Sequence, residues 1–229
     1  MASAAPRVDI ISIGTLSRNL LWGESQPVRT PHATTTLIRV GNRRILVDPA
    51  LPPQILGARI FERTGLKPNQ IDTVFLTNFR PAHRAGISMF AHAKLLINEN
   101  EQAWTHQQLS KLIEQAPTED IDRKTVENEL RLLETLRPAD DKLVENVDLF
   151  PLAGYTPGTC GLLVSSALTS TLITGDAVPS LDHFLAAQVL PDSFDIAAAQ
   201  ESLREVYEIA DAIVPGHDNL FVNPRMSGM

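Results

Sequence analysis

The stretch that decides the fold runs from Leu76 to Gly86 and reads LTNFRPAHRAG. An uncharged segment just before it, Thr73 to Leu76, predicts a short buried strand whose far end enters a polar turn. One residue of that turn is a good metal ligand, and three others bind metals weakly or not at all. The good ligand is His83, and the three poor ones are Asn78, Arg80 and Ala82.

Further strands joined by tight turns are predicted on both sides of this stretch. Gly41-Asn42 between two β-branched runs is a hairpin signal. Helices are predicted over Gln54 to Arg63, which Gly65 ends, and over Asp195 to Ala210. The predicted strands are Val8 to Ile13, Thr34 to Val40, Arg44 to Val47, Lys94 to Ile97, Val147 to Leu152, Leu162 to Ser165, Ser170 to Thr174 and Ala212 to Val214.

The composition changes between Glu99 and Leu136, where Glu, Gln, Lys and Leu replace β-branched residues. Two helices separated by Ala116-Pro117 are predicted there. Leu130, Leu133 and Leu136 fall on one stripe. This pattern favours a solvated helical pair packed by one face over a substrate lid or a dimer arm.

Length and charge narrow the class of protein. The 229 residues fit one domain, 1–229, with a helical insertion at about 99–137. The net charge is −7 and no block of Lys or Arg occurs, which argues against a nucleic-acid partner. The opening residues lack a leader pattern and no stretch is apolar enough to span a membrane, so we expect a cytoplasmic protein without a membrane partner.

Cys160 is the one cysteine of the chain, which agrees with a reducing compartment. It stands beside an apolar strand with no neighbour that would lower its pKa. We therefore interpret it as a small buried hydrophobic residue rather than a nucleophile. The sequence also lacks Gly-x-Ser-x-Gly and a Gly-rich phosphate loop, which argues against serine-hydrolase chemistry and nucleotide binding.

Three later segments, taken with the polar turn, resemble metallo-β-lactamase-fold hydrolases. That family reads His-x-His-x-Asp-His in the turn and commonly Gly-His-Thr-Pro-Gly later, where this chain has Gly154-Tyr155-Thr156-Pro157-Gly158. Thr174-Gly175-Asp176 and Pro215-Gly216-His217 resemble its last two ligand segments. The resemblance covers residues 34–217. It implies an α/β (α+β) fold, an αββα four-layer sandwich with two mixed β-sheets and helices outside.

The resemblance also implies a degenerate metal centre. The three histidines that hold the first metal in the family correspond here to Asn78, Arg80 and Tyr155, so that site is lost. Of the four ligands of the second metal, Ala82 has lost its carboxylate, whereas His83, Asp176 and His217 survive. Two imidazoles and a carboxylate suit a single Zn, Fe or Mn ion. The sequence leaves open whether one such ion or none is bound.

Other side chains have implied roles around this centre. Asp48 resembles a carboxylate that orients ligating histidines, while Asn78 and His183 are expected in the pocket. Asp176, Tyr155 and Arg80 are the catalytic candidates. If Arg80 points inward, its attraction to a carboxylate about 4 Å away is roughly 4 kcal/mol before desolvation and would replace a metal; if outward, it leaves the ligands free.

Two functions follow from these substitutions. Loss of the first site favours a non-catalytic or weakly active pocket protein. The alternative is a single-metal hydrolase of esters, thioesters, lactones or phosphodiesters that uses His83, Asp176 and His217. Either function implies a small-molecule ligand or substrate, and a homo-oligomer stays open. Metal content distinguishes the two.

Overall fold

The protein is described from a computed structural model that defines residues 5–115 and 121–227. Within these ranges two six-stranded sheets form, and both mix parallel and antiparallel pairs. The expected α/β sandwich of two mixed sheets with helices outside is confirmed. The predicted helix break at Ala116-Pro117 lies outside the described residues.

The first sheet has its strands in chain order. Its first three strands are antiparallel and the next three run parallel. Gly41, with φ 55°, makes the tight turn of the predicted hairpin. The strands are β1 (Arg7–Ser12), β2 (Thr35–Val40), β3 (Arg43–Val47), β4 (Thr73–Leu76), β5 (Lys94–Ile97) and β6 (Arg137–Pro138).

The second sheet has the order β12-β11-β10-β9-β8-β7, with β10 and β11 parallel and the other neighbours antiparallel. Its strands are β7 (Lys142–Val144), β8 (Val147–Pro151), β9 (Cys160–Ser165), β10 (Ser170–Gly175), β11 (Ala212–Pro215) and β12 (Phe221–Val222). The strands predicted from β-branched runs are confirmed. The two-residue strands β6 and β12 and the three-residue strand β7 were not predicted, because such short segments show no alternation of apolar and polar residues.

Helices cover the outer faces of both sheets. A proline at N1 begins α1 and Gly65, with φ 72°, ends it. Among the described residues the α-helices are α1 (Pro53–Thr64), α2 (Pro81–Arg84), α3 (Glu99–Gln115), α4 (Ile121–Thr135), α5 (Leu181–Leu185) and α6 (Ile196–Ile209). None of them combines the length and apolar character that a membrane crossing requires.

The core is layered because side chains alternate across each strand. On β3, Ile45 and Val47 face the second sheet and pack with residues such as Leu162, whereas Leu46 packs on the outer side with Leu56 of α1. A third apolar cluster lies between the second sheet and α6. Apolar burial therefore holds four layers together.

Parallel pairing brings the polar ends of strands together at one edge. β3 and β4 are parallel neighbours, so Asp48 and Thr77 leave the first sheet side by side. β10 and β11 are parallel neighbours in the second sheet and deliver Asp176 and His217 in the same way. Both pairs open onto the edge where the α2 turn lies.

Candidate metal centre and pocket

Three predicted ligands meet around one carboxylate. Asp176 Oδ2 lies 2.9 Å from His83 Nε2, and Asp176 Oδ1 lies 2.8 Å from His217 Nε2. One ligand atom from each of the three residues lies within 4.8 Å of the others. Asp176 and His83 are buried. Coordination bonds to zinc are about 2 Å long, so small side-chain shifts bring all three atoms onto one ion.

His83 is fixed on its other ring nitrogen. Nδ1 lies 2.9 Å from Asp48 Oδ2 and 3.1 Å from Thr77 Oγ1. Thr77 in turn donates its hydroxyl to Asp48 Oδ2 (2.7 Å) and its backbone N–H to Asp48 Oδ1 (2.9 Å). Nδ1 therefore donates to Asp48, and Nε2 is directed at Asp176. This is the arrangement that orients histidine ligands in metalloproteins.

His217 is oriented by backbone instead of a side chain. Its Nδ1 lies 3.1 Å from the carbonyl oxygen of Thr15 and 3.0 Å from that of His32. Because both partners are acceptors, Nδ1 must carry the hydrogen. A neutral ring then directs its Nε2 lone pair at the Asp176 carboxylate, so a cation has to lie between them.

In the absence of a metal, a proton on His83 places positive charge beside Asp176. Burial lowers the pKa of His83, but the charges of Asp176 and Asp48 outweigh it and raise the pKa to about 10. Burial raises the pKa of Asp176, and His83 and His217 outweigh it and hold the pKa well below its usual value. The arrangement thus favours positive charge at its centre, and the donor set fits a divalent ion.

Gly175 shapes the approach to Asp176. It has φ 53°, and a Cβ at this position would lie 2.4 Å from Thr77 Oγ1. A side chain would therefore displace the hydroxyl that binds Asp48, which explains the glycine physically.

Asn78 binds the Asp176 carboxylate from one side. Its buried amide donates from Nδ2 to Asp176 Oδ2 over 2.9 Å, and its Oδ1 accepts the backbone N–H of Arg80 over 3.0 Å. Both ends of the amide are therefore engaged, one with the carboxylate and one with the turn.

The guanidinium of Arg80 contacts Tyr155 and Asp192 and makes no ion pair with Asp176. It lies over the Tyr155 ring, with Cζ 4.8 Å from the ring centroid, and its NH1 donates to the Tyr155 hydroxyl. NH1 also lies 3.4 Å from Asp192 Oδ2. Tyr155 is buried, whereas the side chains of Arg80 and Asp192 are 47% and 60% exposed. Of the two orientations that the sequence left open, this is the one in which Arg80 leaves the ligands free.

These residues line a cavity of about 590 Å³. His183, which was expected in the pocket, lines this cavity and is buried. Its Nδ1 lies 2.8 Å from Ser180 Oγ, and burial lowers its pKa. Ala82 also lines the cavity. The apolar part of the wall comes from two loops and consists of Leu16, Leu20, Leu21, Pro27, Pro31, Val189, Leu190 and Pro191.

The α3 and α4 helices hold the turn that carries the site. The buried carboxylate of Glu101 accepts the backbone N–H of Phe79 over 3.0 Å and the hydroxyl of Thr156, and burial raises its pKa. Arg84 donates to the Phe79 carbonyl over 2.8 Å and pairs with Glu129. The helical pair is thus bonded to the turn at Phe79 and to the loop that carries Tyr155 and Thr156.

Several of these partners were missed from the sequence. Thr77, Glu101 and Asp192 each contact a predicted site residue or the loops that carry one. Thr77 had a signal, because a hydroxyl directly after a buried strand lies where the ligands emerge. No pattern marks Glu101, which is one of several acidic residues in a helical segment, or Asp192.

Comparison with known proteins gives a family match over most of the chain. The family model described as the metallo-beta-lactamase superfamily matches residues 29–217. A search of curated protein sequences found no significant match.

Solved structures share the fold at low identity. A provisionally assigned metallo-beta-lactamase of Thermotoga maritima is 16% identical with a TM-score of 0.68, over 96% of this chain and 100% of that one. AidC, a dizinc quorum-quenching lactonase in complex with a product, is 15% identical with a TM-score of 0.67, over 96% and 88%. An N-acyl homoserine lactone hydrolase with N-hexanoyl-L-homoserine at its catalytic metal centre is 18% identical with a TM-score of 0.62, over 100% and 97%.

Proposed function

Because the chain belongs to the metallo-beta-lactamase superfamily, we propose that it is a hydrolase that uses a single divalent ion held by His83, Asp176 and His217. The proposed substrates contain an ester, thioester or lactone bond. Support for substrates with such a bond comes from two structural neighbours, a lactonase and a lactone hydrolase, which hold reaction products.

The observation that carries this proposal is the orientation of the two histidines. Asp48 and two backbone carbonyls bind the Nδ1 atoms, and both Nε2 atoms are directed at Asp176. Two lone pairs and a buried carboxylate around one point form a cation site. An Arg80 guanidinium paired with Asp176 would have replaced the metal. Its charge is instead engaged with Tyr155 and Asp192, which leaves the three ligands free.

The ion would supply polarisation of the substrate carbonyl and a lower pKa of an attacking water. The protein's own residues do the rest. Asp48 keeps the His83 ring in one tautomer, and Asp176 would both hold the ion and share a proton of the water. Tyr155 and Arg80 face the same cavity and orient the substrate.

A second function is favoured by one observation. Asn78 and His83 both contact Asp176 Oδ2 directly, so a protonated His83 completes this network without a metal. In that case the cavity is a binding pocket without hydrolytic chemistry.

An activity test separates the two functions. Protein produced with added zinc, iron or manganese is assayed against p-nitrophenyl butyrate, a thioester, a γ-lactone and a phosphodiester. We expect hydrolysis of at least one carboxylic substrate and a loss of at least roughly 100-fold in His217→Ala. The matched control is His106→Ala, an exposed histidine of α3, which should keep full activity. Equal rates in the wild type and His217→Ala with every metal would overturn the proposal.

A further inference from the structure

Two of the side chains that replace the ligands of the first metal, Arg80 and Tyr155, form a cationic surface. The Arg80 guanidinium lies over the ring of buried Tyr155 and donates to its hydroxyl. The ring contact and the hydrogen bond restrict where the guanidinium lies, and its fork of N–H groups matches the two oxygens of a carboxylate. A guanidinium has five N–H donors, and the contacts with Tyr155 and Asp192 both use NH1.

Asp192 shows what kind of group this surface accepts. Its carboxylate lies 3.4 Å from NH1, which is long for a charge-assisted hydrogen bond, and 60% of its side chain is exposed. An ion pair so exposed is held weakly. A ligand carboxylate able to contact two N–H groups can therefore displace Asp192.

The surface lies in the same cavity as the proposed metal ligands. Arg80, Tyr155, His83, Asp176 and His217 all line it. Asn78 connects the two parts directly, because it binds the backbone of Arg80 through Oδ1 and Asp176 through Nδ2. A ligand carboxylate on Arg80 and a bond positioned over Asp176 would therefore lie in one cavity.

We propose that Arg80 and Tyr155 form a carboxylate-binding subsite, so that the substrate is an amphipathic molecule with a carboxylate near the bond that is cleaved. The apolar loops that wall the cavity accept the rest of the molecule. The link to the cleaved bond rests on the proposed hydrolase function, whereas the subsite itself depends on residues that hold no metal.

Isothermal titration calorimetry tests the subsite directly. Hexanoate, its neutral isostere hexanamide and inorganic phosphate are titrated into the protein as purified and after metal removal. We expect hexanoate to bind in both states, and hexanamide to bind at least roughly tenfold more weakly. Measurement after metal removal keeps this result independent of the hydrolase proposal.

Variants then locate the binding. Arg80→Met should weaken hexanoate binding by at least roughly tenfold, whereas Asp192→Asn should strengthen it, because the competing carboxylate is gone. A merely structural role for this ion pair predicts no gain in Asp192→Asn. Arg18→Met is the matched control, since Arg18 lines the same cavity but binds the Ser25 carbonyl. Circular dichroism verifies that each variant is folded.

Three outcomes would overturn the proposal. They are equal affinity for hexanoate and hexanamide, wild-type affinity in folded Arg80→Met, and Arg80-dependent binding of phosphate without binding of hexanoate. Loss of hydrolysis with normal hexanoate binding would instead count against the hydrolase function alone.

Discussion

The two halves of the pocket differ in how their polar groups are held. The retained half, His83, Asp176 and His217, is directed by buried partners such as Asp48. The replaced half, Asn78, Arg80 and Tyr155, ends in an ion pair that is about half exposed. Buried charges are costly unless each is paired, whereas exposed pairs contribute little.

This difference indicates which substitutions should affect stability and which should affect only ligand binding. Substitutions in the retained half leave a buried charge without its partner, so folding and ligand geometry change together. Substitutions of the exposed pair in the replaced half, Arg80 and Asp192, should change what binds in the cavity and leave the fold intact.

The largest effect is expected at Asp48. Asp48→Asn keeps the shape and tolerates the positive φ of 49° at this position, but removes the charge that faces His83. We expect the free energy of unfolding to fall by roughly 3–5 kcal/mol, measured in urea. Asp192→Asn in the replaced half is the matched control and should change it by less than about 0.5 kcal/mol. Similar losses in both variants would break the contrast.

A smaller effect is expected at Glu101, which bonds α3 to the turn at Phe79 and to the loop at Thr156. Glu101→Ala leaves the Phe79 N–H and the Thr156 hydroxyl without their acceptor. The expected loss is about 1–3 kcal/mol in the free energy of unfolding. Glu99→Ala, an exposed residue on the same helix, should cost less than about 0.5 kcal/mol. Equal costs would show that the helical pair does not support the turn.

Arg80→Met should have little effect on stability. The Arg80 side chain is 47% exposed, so loss of its ion pair should cost less than about 1 kcal/mol. Metal content, measured by elemental analysis, should equal that of the wild type. A fall in bound metal would show that the two halves are not independent.

The smallest effect is a pH dependence from Glu101. Burial raises its pKa in the folded protein, so its ionised form is disfavoured by folding. Its contribution to stability is fully present below the unfolded pKa and is lost as pH rises through the folded pKa. The stability of the wild type relative to Glu101→Gln should therefore fall as the pH rises above 4.5, the usual pKa of a glutamate, in urea titrations. A constant difference would contradict the raised pKa.

Most of the fold was predictable because its signals are local. β-branched runs such as Thr35–Val40, the glycine turn at Gly41 and the end of α1 at Gly65 each follow from a few neighbouring residues. The predicted sequence positions of the ligands also depend on local motifs at strand ends. The single-domain assignment and the insertion at about 99–137 stay predictions.

Parts of the site could not be predicted because they depend on long-range geometry. The orientation of Arg80 is set by Tyr155 and Asp192, which are 75 and 112 residues away in the chain. The carbonyls that orient His217 come from Thr15 and His32, and backbone acceptors leave no residue-type signal. Glu101 shows the same problem, because burial rather than residue type gives it a role.

The central claim is that the retained half holds one metal ion. The most direct measurement is the metal content of protein purified after growth with added zinc, iron or manganese, compared with His217→Ala prepared in parallel. We expect about one equivalent in the wild type and close to none in the variant. No bound metal under any supplementation, or the same content in both proteins, would contradict the claim.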